Sequence, residues 1–140
     1  MRDLRDFIGC PFRNHGRGEI DPETRRPLYD CYGLFMAIYK ECYGITLPDY
    51  TISCFATEEI RAQFEKEVGR WEELREPETP CAVALAANTH FPGMVCHFGI
   101  YVGYGKFIHT LKKAGSIVSH VYDPVWKNKI KGYYRWKRSS

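Results

Sequence analysis

The sequence predicts an α+β domain in which helices come first and an antiparallel sheet follows. Two segments in the first half carry apolar residues at helical spacing, whereas the segments after residue 80 have the lengths and compositions of strands. The breaker EPETP at 76–80 separates the two halves. With 140 residues, of which 44% are apolar, the chain is long enough for one compact domain, which we expect to span 1–140.

The first predicted helix covers residues 31–43. Its apolar residues recur every three or four positions, Asp30 is a favourable N-cap, and Gly44 is a natural end. Residues 9–28, which precede it, are rich in Gly, Pro, Arg and Asp and show no apolar period. We therefore expect an irregular loop before the helix.

A second helix is predicted over 57–75, with Thr57 as its cap and an apolar face that runs from Ile60 to Leu74. The remaining elements are expected to be strands of one antiparallel sheet. These predicted strands cover 82–86, 95–102, 106–110, 116–121 and 130–136.

The stretch YDCYGLF at 29–35 places Cys31 in the first turn of the first helix. A thiol is a weak nucleophile until it ionises, and the unpaired N–H groups and partial positive charge of a helix N-terminus favour the thiolate. Cysteine catalysis also needs an imidazole that pairs with the thiolate and protonates the leaving amine. Cys31 is thus a candidate nucleophile, and the alternative is a small buried apolar residue.

The sequence HFGIYVGYGKFIHT, which begins at His97, predicts a β-hairpin with two histidines. If residues 103–105 form a three-residue loop, Val102 pairs with Lys106. His97 and His109 then lie diagonally on one face, roughly 7 to 8 Å apart at their Cα atoms. A two-residue loop would place them on opposite faces. On one face, they could act as a base and its orienting partner, although ordinary strand histidines are the alternative.

Together these motifs resemble the NlpC/P60 cysteine peptidases, papain-like hydrolases of bacterial cell-wall stem peptides. The order is the family's: Asp30-Cys31, then His97 in an H-x-G-I-Y-x-G setting, then His109 after a Gly-containing turn. The segments FIGCPF at 7–12 and IKGYYR at 130–135 are similar to the branch found in phage and prophage tail-assembly or tail-tip proteins. The resemblance covers nearly the whole chain.

The resemblance implies a papain-like fold, with N-terminal helices packed on a C-terminal antiparallel sheet. It implies that Cys31 is the nucleophile, that His97 is the general base, and that His109 orients the imidazole. The implied reaction is hydrolysis of a peptidoglycan stem peptide between D-γ-glutamyl and a diamino acid, through an acyl-enzyme. No metal or organic cofactor is implied.

The resemblance also suggests where the chain works and which residues contact the substrate. We expect cytoplasmic synthesis followed by delivery to the cell wall within a phage-type tail, with other tail proteins as partners. Four residues around the cysteine are the candidates for substrate binding: Tyr29, Asp30, Tyr32 and Arg13. Arg13 and three further arginines of the loop could bind stem-peptide carboxylates, or could form a solvated basic loop: Arg17, Arg25 and Arg26.

One position departs from the family pattern. Many members have a tyrosine upstream of the cysteine whose hydroxyl stabilises the oxyanion, whereas this chain has Phe12. Tyr29 and Tyr32 are candidates to replace that hydroxyl. Phe12 also supports an alternative function, a structural tail-tip protein with weak or lost catalysis. A further alternative is a related papain-like acyltransferase or amidase.

Other classes of function are disfavoured. The N-terminus lacks the apolar run of a signal peptide, and no segment has the roughly 18 consecutive apolar residues of a membrane span, so we expect no membrane insertion. A net charge of +3 is too small to indicate a nucleic-acid partner, and the basic C-terminal end is predicted to be an edge strand. The cysteines lack a C-x-x-C pair and are expected to be free thiols.

A zinc site is also disfavoured by spacing. The nearest candidate ligands are not arranged as in a closed site, and neighbouring residues of one strand point to opposite faces. Those candidates are His90, Cys96, His97 and His109. We interpret His15, His90 and His120 as ordinary polar residues.

Overall fold

The structure is a computed structural model that describes residues 2–50, 52–53, 56–86 and 93–137. The first half contains a small two-stranded sheet and two helices. These elements are β1 (Arg17–Ile20), β2 (Pro27–Tyr29), α1 (Cys31–Tyr43) and α2 (Thr57–Glu67).

The second half forms a six-stranded sheet in which every neighbouring pair is antiparallel. Its strands are β3 (Trp71–Leu74), β4 (Cys81–Leu85), β5 (His97–Gly103), β6 (Lys106–Leu111), β7 (Gly115–His120) and β8 (Ile130–Trp136). The spatial order is β3-β8-β4-β5-β6-β7, and one helical turn, α3 (Pro124–Lys127), lies between β7 and β8 in the chain. The predicted α+β class is confirmed, and the five predicted strands correspond to β4 through β8.

Helix α1 has the predicted bounds and the predicted caps. The Asp30 side chain accepts a hydrogen bond from the backbone N–H of Gly33, and Gly44 ends the helix in the left-handed conformation, with φ of 69°. The buried face of α1, which includes Leu34 and Ile38, packs against β5 and β6. This packing fixes the position of the helix start relative to the sheet.

The predicted helix over 57–75 begins at Thr57 as expected, but its predicted cap and its predicted end were wrong. Ala56, not Thr57, is the N-cap, and α2 ends at Glu67. A short 3-10 turn follows, and the next residues form edge strand β3, paired with β8. Trp71 packs edge-on against Trp136 with ring centroids 4.9 Å apart. Trp71 and Leu74, the two ends of β3, are three residues apart. This spacing is also that of a helical apolar face, which is why the predicted helix was too long.

The loop over 9–28 is more regular than predicted. It contains the hairpin of β1 and β2, in which Arg17 pairs with Tyr29, and Phe12 forms an isolated parallel bridge with Tyr29. These strands are short and are not alternately buried and exposed. They therefore carry no period from which a strand could be predicted.

The main sheet has a core on each face. One face, with Ile100 and Ile108, contributes to the core that also contains the buried residues of α1. The other face carries a smaller core with Val83 and Phe107, against which Trp126 of α3 packs. None of the helices among the described residues has the length and apolar character needed to cross a bilayer.

Candidate active site

The start of α1 is held by the carboxylate of Asp30. Its Oδ1 accepts hydrogen bonds from the Gly33 backbone N–H at 2.7 Å and from the Arg17 guanidinium at 2.8 Å. Its Oδ2 accepts one from the backbone N–H of His15 at 3.0 Å. Asp30 is 1% exposed, so it organises the helix start and presents almost no surface to a substrate. Asp30 thus supports the start of α1, and its assignment to substrate binding stays a prediction.

Arg17 joins this carboxylate to the chain that follows α1. Its guanidinium also pairs with Asp49 at 3.0 Å and donates to the backbone carbonyl of Tyr50 at 3.2 Å. The backbone of the N-terminal loop at Gly16 lies close to the first turn of α1 at Gly33. A Cβ atom at Gly33 would collide with the carbonyl oxygen of Gly16. Cys31, the first residue of α1, is 7% exposed within this framework.

His97 on β5 and His109 on β6 form a hydrogen-bonded pair. Nε2 of His97 lies 2.8 Å from Nδ1 of His109, and both side chains are buried. On the other side of the His109 ring, Nε2 lies 2.8 Å from Oγ of Ser119 on β7. The predicted proximity of the two histidines is confirmed.

The hairpin achieves this pairing by a different route from the predicted one. The turn has two residues, Tyr104 and Gly105, both with positive φ, and Gly103 pairs with Lys106. A bulge at Val102 then restores the register, because Tyr101 pairs with Phe107 beyond it. A two-residue turn plus one bulged residue leaves the histidines on one face, as a three-residue loop would.

Burial keeps both histidines neutral. It lowers the pKa of His97 to about 4. Burial, together with the neighbouring His97, lowers the pKa of His109 to about 3. At pH 7 each ring therefore carries one N–H, and the hydrogen bond between the rings couples their tautomers.

Two aromatic rings enclose His109. The centroid of Phe107 lies 4.6 Å from that of His109, and Trp126 packs edge-on at 4.7 Å. Gly99 makes the arrangement possible, because a Cβ at that position would lie 2.7 Å from the Phe107 ring. Helix α1 packs against both of the strands that carry the histidines.

A largely apolar cleft begins at Asp30 and Cys31 and continues between α2 and the sheet. It encloses about 810 Å³, including the solvent at its mouth. Its main lining residues are Tyr32, Phe35, Phe64, Trp71, Phe98 and Tyr134. The cleft offers an apolar surface directly beside the candidate nucleophile.

The two tyrosines considered as hydroxyl donors have other contacts. The Tyr32 hydroxyl donates to the backbone carbonyl of Pro48 at 2.7 Å, while its ring stacks on Phe35 and lines the cleft. Tyr29 is 6% exposed and packs in the core against Phe7. Tyr32 can therefore contact a ligand through its ring, whereas Tyr29 supports the core.

The four arginines of the N-terminal loop fall into two groups. Arg17 is engaged as described above, and Arg26 donates to the backbone carbonyl of Ile8 at 2.6 Å. Arg13 and Arg25 are exposed. The exposed pair is available to a charged ligand, and Arg17 and Arg26 are structural.

Sequence reasoning missed Ser119, Trp126 and the structural role of Arg17. Ser119 could have been found by extending the hairpin argument to β7, since pairing of Phe107 with Ser119 places Ser119 diagonally across from His109. Cys54 and His90 lie outside the described residues. Within the described part of the chain, no disulfide joins the cysteines and no group of three or more His, Cys, Asp or Glu could hold a metal ion.

A helix that begins at a cysteine and packs on strands bearing a hydrogen-bonded histidine pair defines a papain-like domain. The chain belongs to the NlpC/P60 family, whose model matches residues 10–135. The expected family and its papain-like fold are thereby confirmed.

Two relatives of this chain are named as hydrolases or peptidases. The chain is 26% identical over 137 residues to the gamma-DL-glutamyl hydrolase of Bacillus subtilis, a match that covers 97% of this chain and 28% of the relative. It is 27% identical over 129 residues to the murein DD-endopeptidase MepS/murein LD-carboxypeptidase of Escherichia coli, covering 92% of this chain and 57% of the relative. The chain thus spans only part of the length of either relative.

Solved structures of the family share the fold. NlpC1 from Trichomonas vaginalis matches with a TM-score of 0.64 at 18% identity, covering 97% of this chain and 42% of that one. The NlpC/p60 domain of the peptidoglycan hydrolase SagA matches with a TM-score of 0.55 at 17% identity, covering 95% of this chain and 92% of that domain. The SagA match extends over nearly the full length of both chains, so the similarity of fold is not confined to one part of this chain.

Proposed function

We propose that this chain hydrolyses an amide bond of a peptidoglycan stem peptide through an acyl-enzyme on Cys31. The observation that carries the proposal is the 2.8 Å hydrogen bond between His97 and His109 on strands packed against the helix that starts at Cys31. In this assignment Cys31 is the nucleophile, His97 is the general base and His109 orients the base.

The hydrogen bond supports one nitrogen of His97 as the base in this proposal. Nε2 faces His109, so Nδ1 is the nitrogen that takes the thiol proton. Since burial lowers the pKa of His97 to about 4, the imidazole is neutral at pH 7 and accepts this proton as Cys31 Sγ attacks the carbonyl carbon. Backbone N–H groups at the start of α1 stabilise the oxyanion.

The leaving amine takes the proton from Nδ1 of His97 as the C–N bond breaks. A water molecule then gives a proton to Nδ1 and attacks the thioester carbonyl, which releases the acid and the Cys31 thiolate. Nδ1 returns the proton to this thiolate and restores the thiol. Arg13, exposed near the helix start, is assigned to a substrate carboxylate. Tyr32 contributes its ring to the cleft beside Cys31.

For the bond cleaved, we favour the one between γ-D-glutamate and the diamino acid. The name of the Bacillus relative, a gamma-DL-glutamyl hydrolase, supports this choice. The name of the Escherichia coli relative, a murein DD-endopeptidase, favours a second candidate, the D,D cross-link. Both bonds occur in a cross-linked muropeptide, so one substrate tests both.

We place this activity at the cell wall, within a phage-type tail and in contact with other tail proteins. The support is the similarity of the segments at 7–12 and 130–135 to the tail-protein branch. The competing function is a structural tail-tip protein with weak catalysis, for which Phe12 is the reason. A tail that carries Cys31→Ala and still assembles and infects normally would favour the structural function.

The test of the chemistry is digestion of a cross-linked muropeptide, with products identified by mass spectrometry. We expect the wild type to cleave the γ-D-glutamyl bond, Cys31→Ala to cleave nothing, and Cys96→Ala, which removes a thiol next to His97 in sequence, to retain activity. Cleavage at the cross-link would select the second candidate. An acyl group transferred to an added amine would indicate a transferase, and no cleavage by folded wild type would contradict the proposal.

A further inference from the structure

The hydrogen bonding of the histidine pair continues to a third side chain. Oγ of Ser119 lies 2.8 Å from Nε2 of His109, on the opposite side of the ring from His97. The hydroxyl can either donate to this nitrogen or accept from it, because the roles depend on the tautomer of the histidine. Which role it plays decides where the protons of both rings reside.

We propose that Ser119 is a positioning residue that accepts a hydrogen bond from His109 Nε2 and thereby sets the tautomers of both histidines. This inference rests on the proposed function, in which His97 Nδ1 must be free of a proton. His97 then carries its proton on Nε2 and donates to Nδ1 of His109. His109 in turn carries its proton on Nε2, which donates to Ser119 Oγ.

The opposite direction of donation would inactivate the base. If Ser119 donated to His109 Nε2, His109 would carry its proton on Nδ1 and donate to His97 Nε2. The proton of His97 would then lie on Nδ1, where it blocks acceptance of the thiol proton. An acceptor at position 119 therefore favours the productive pair of tautomers.

The surroundings of His109 make this acceptor difficult to replace. His109 is 1% exposed, and the rings of Phe107 and Trp126 pack against it. A buried N–H without an acceptor is unfavourable. Loss of the Ser119 oxygen would thus drive the pair toward the tautomers in which His109 Nδ1 carries the proton.

The experiment compares Ser119→Ala with Ser119→Thr, which keeps a hydroxyl, and with Val118→Ala, a control at the exposed neighbouring position of β7. Two quantities are measured: kcat/KM on the muropeptide, and the protonated nitrogen of each histidine by long-range ¹H–¹⁵N NMR. We expect Ser119→Ala to lower kcat/KM by about 10- to 100-fold, mainly through kcat. We also expect it to move the His97 proton from Nε2 to Nδ1.

Ser119→Thr and Val118→Ala should behave as wild type in both measurements. The inference is overturned if Ser119→Ala leaves the His97 tautomer and kcat/KM unchanged, or if wild-type His97 carries its proton on Nδ1. The NMR readout needs no substrate. A wild type that cleaves no muropeptide but shows the expected tautomers would therefore refute the proposed function and leave the positioning role supported.

Discussion

His97 and His109 show how burial determines the protonation of single residues. Both are enclosed among strands, and desolvation holds the pKa of each well below that of an exposed histidine. A neutral pair can share one hydrogen bond in a single direction, whereas two imidazolium rings would place two donors and two charges face to face. The hydrogen-bonded geometry of the pair therefore requires both histidine rings to be neutral.

This burial predicts that the protein becomes less stable in acid. In the unfolded chain both histidines have a pKa near 6.5, so below that pH the unfolded state binds protons that the folded state does not. The free energy of unfolding should be highest above about pH 6.5 and should fall as the pH decreases toward about 4 and then 3. Urea unfolding at a series of pH values measures this slope.

A suitable control for this slope is Val118→Ala, which changes an exposed position of β7 without a titratable group. Val118→Ala should leave the pH dependence between 6.5 and 4 unchanged, and His109→Asn should reduce it. A stability that does not change over this range in the wild type would contradict the assignment of two buried neutral histidines.

Individual site residues could be predicted from sequence where local pattern determines their placement. Cys31 follows a capping aspartate, and His97 and His109 share a hairpin, so local arguments suffice for each. Ser119 could have been found only by extending the hairpin argument to β7, and Arg17 could not be found from local pattern. Arg17 reaches Asp30 and Asp49 only because the loop folds over the helix start, which is a property of the tertiary structure.

At the scale of elements, the helix start and the N-terminal loop are held together by a partly buried ion pair. The side chains of Arg17 and Asp30 are 23% and 2% exposed, respectively. Removal of the guanidinium leaves a buried carboxylate with two backbone N–H partners and no counter-charge. We expect Arg17→Ala to lower the free energy of unfolding by about 3 kcal/mol.

Urea unfolding at pH 7 measures the effect of Arg17→Ala. Arg13→Ala is the matched control, because Arg13 is an exposed arginine of the same loop and should change stability by less than about 0.5 kcal/mol. Equal stabilities for the two variants would show that the ion pair does not hold the loop on the helix.

The bulge at Val102 sets the face on which His97 lies. Deletion of Val102 removes the extra residue and should leave Tyr101 opposite Phe107, so the upstream part of β5 keeps its register and His97 stays beside His109. We expect this deletion, like Val102→Ala, to retain the nuclear Overhauser contacts between the two rings. Loss of these contacts in the deletion variant alone would contradict the assignment of Val102 as the one bulged residue.

Whole elements were predicted correctly where neighbouring residues in the sequence determine their bounds. Helix α1 was predictable because its caps and apolar period coincide. Helix α2 was overextended because none of its residues is fully buried and its stripe continues into β3. In the hairpin, loop length and bulge compensated each other, so the correct pairing of the histidines followed from an incorrect turn.

For the whole molecule, one sheet serves two purposes. One face packs against α1 and so positions the start of this helix. Strands β5, β6 and β7 carry His97, His109 and Ser119, whose side chains are joined by hydrogen bonds. The cleft beside Cys31 opens between this sheet and α2. The antiparallel sheet therefore supports helix α1, which begins at the candidate nucleophile Cys31, and also carries the proposed base His97.

The central claim is that Cys31 forms a covalent acyl-enzyme with a stem peptide. The most direct measurement is acid quenching during turnover of a γ-D-glutamyl muropeptide, followed by intact-protein and peptide mass spectrometry. We predict an added mass equal to the acyl fragment, located on the Cys31 peptide and absent from Cys31→Ala. Cleavage without an adduct on Cys31, or cleavage by Cys31→Ala, would contradict the account.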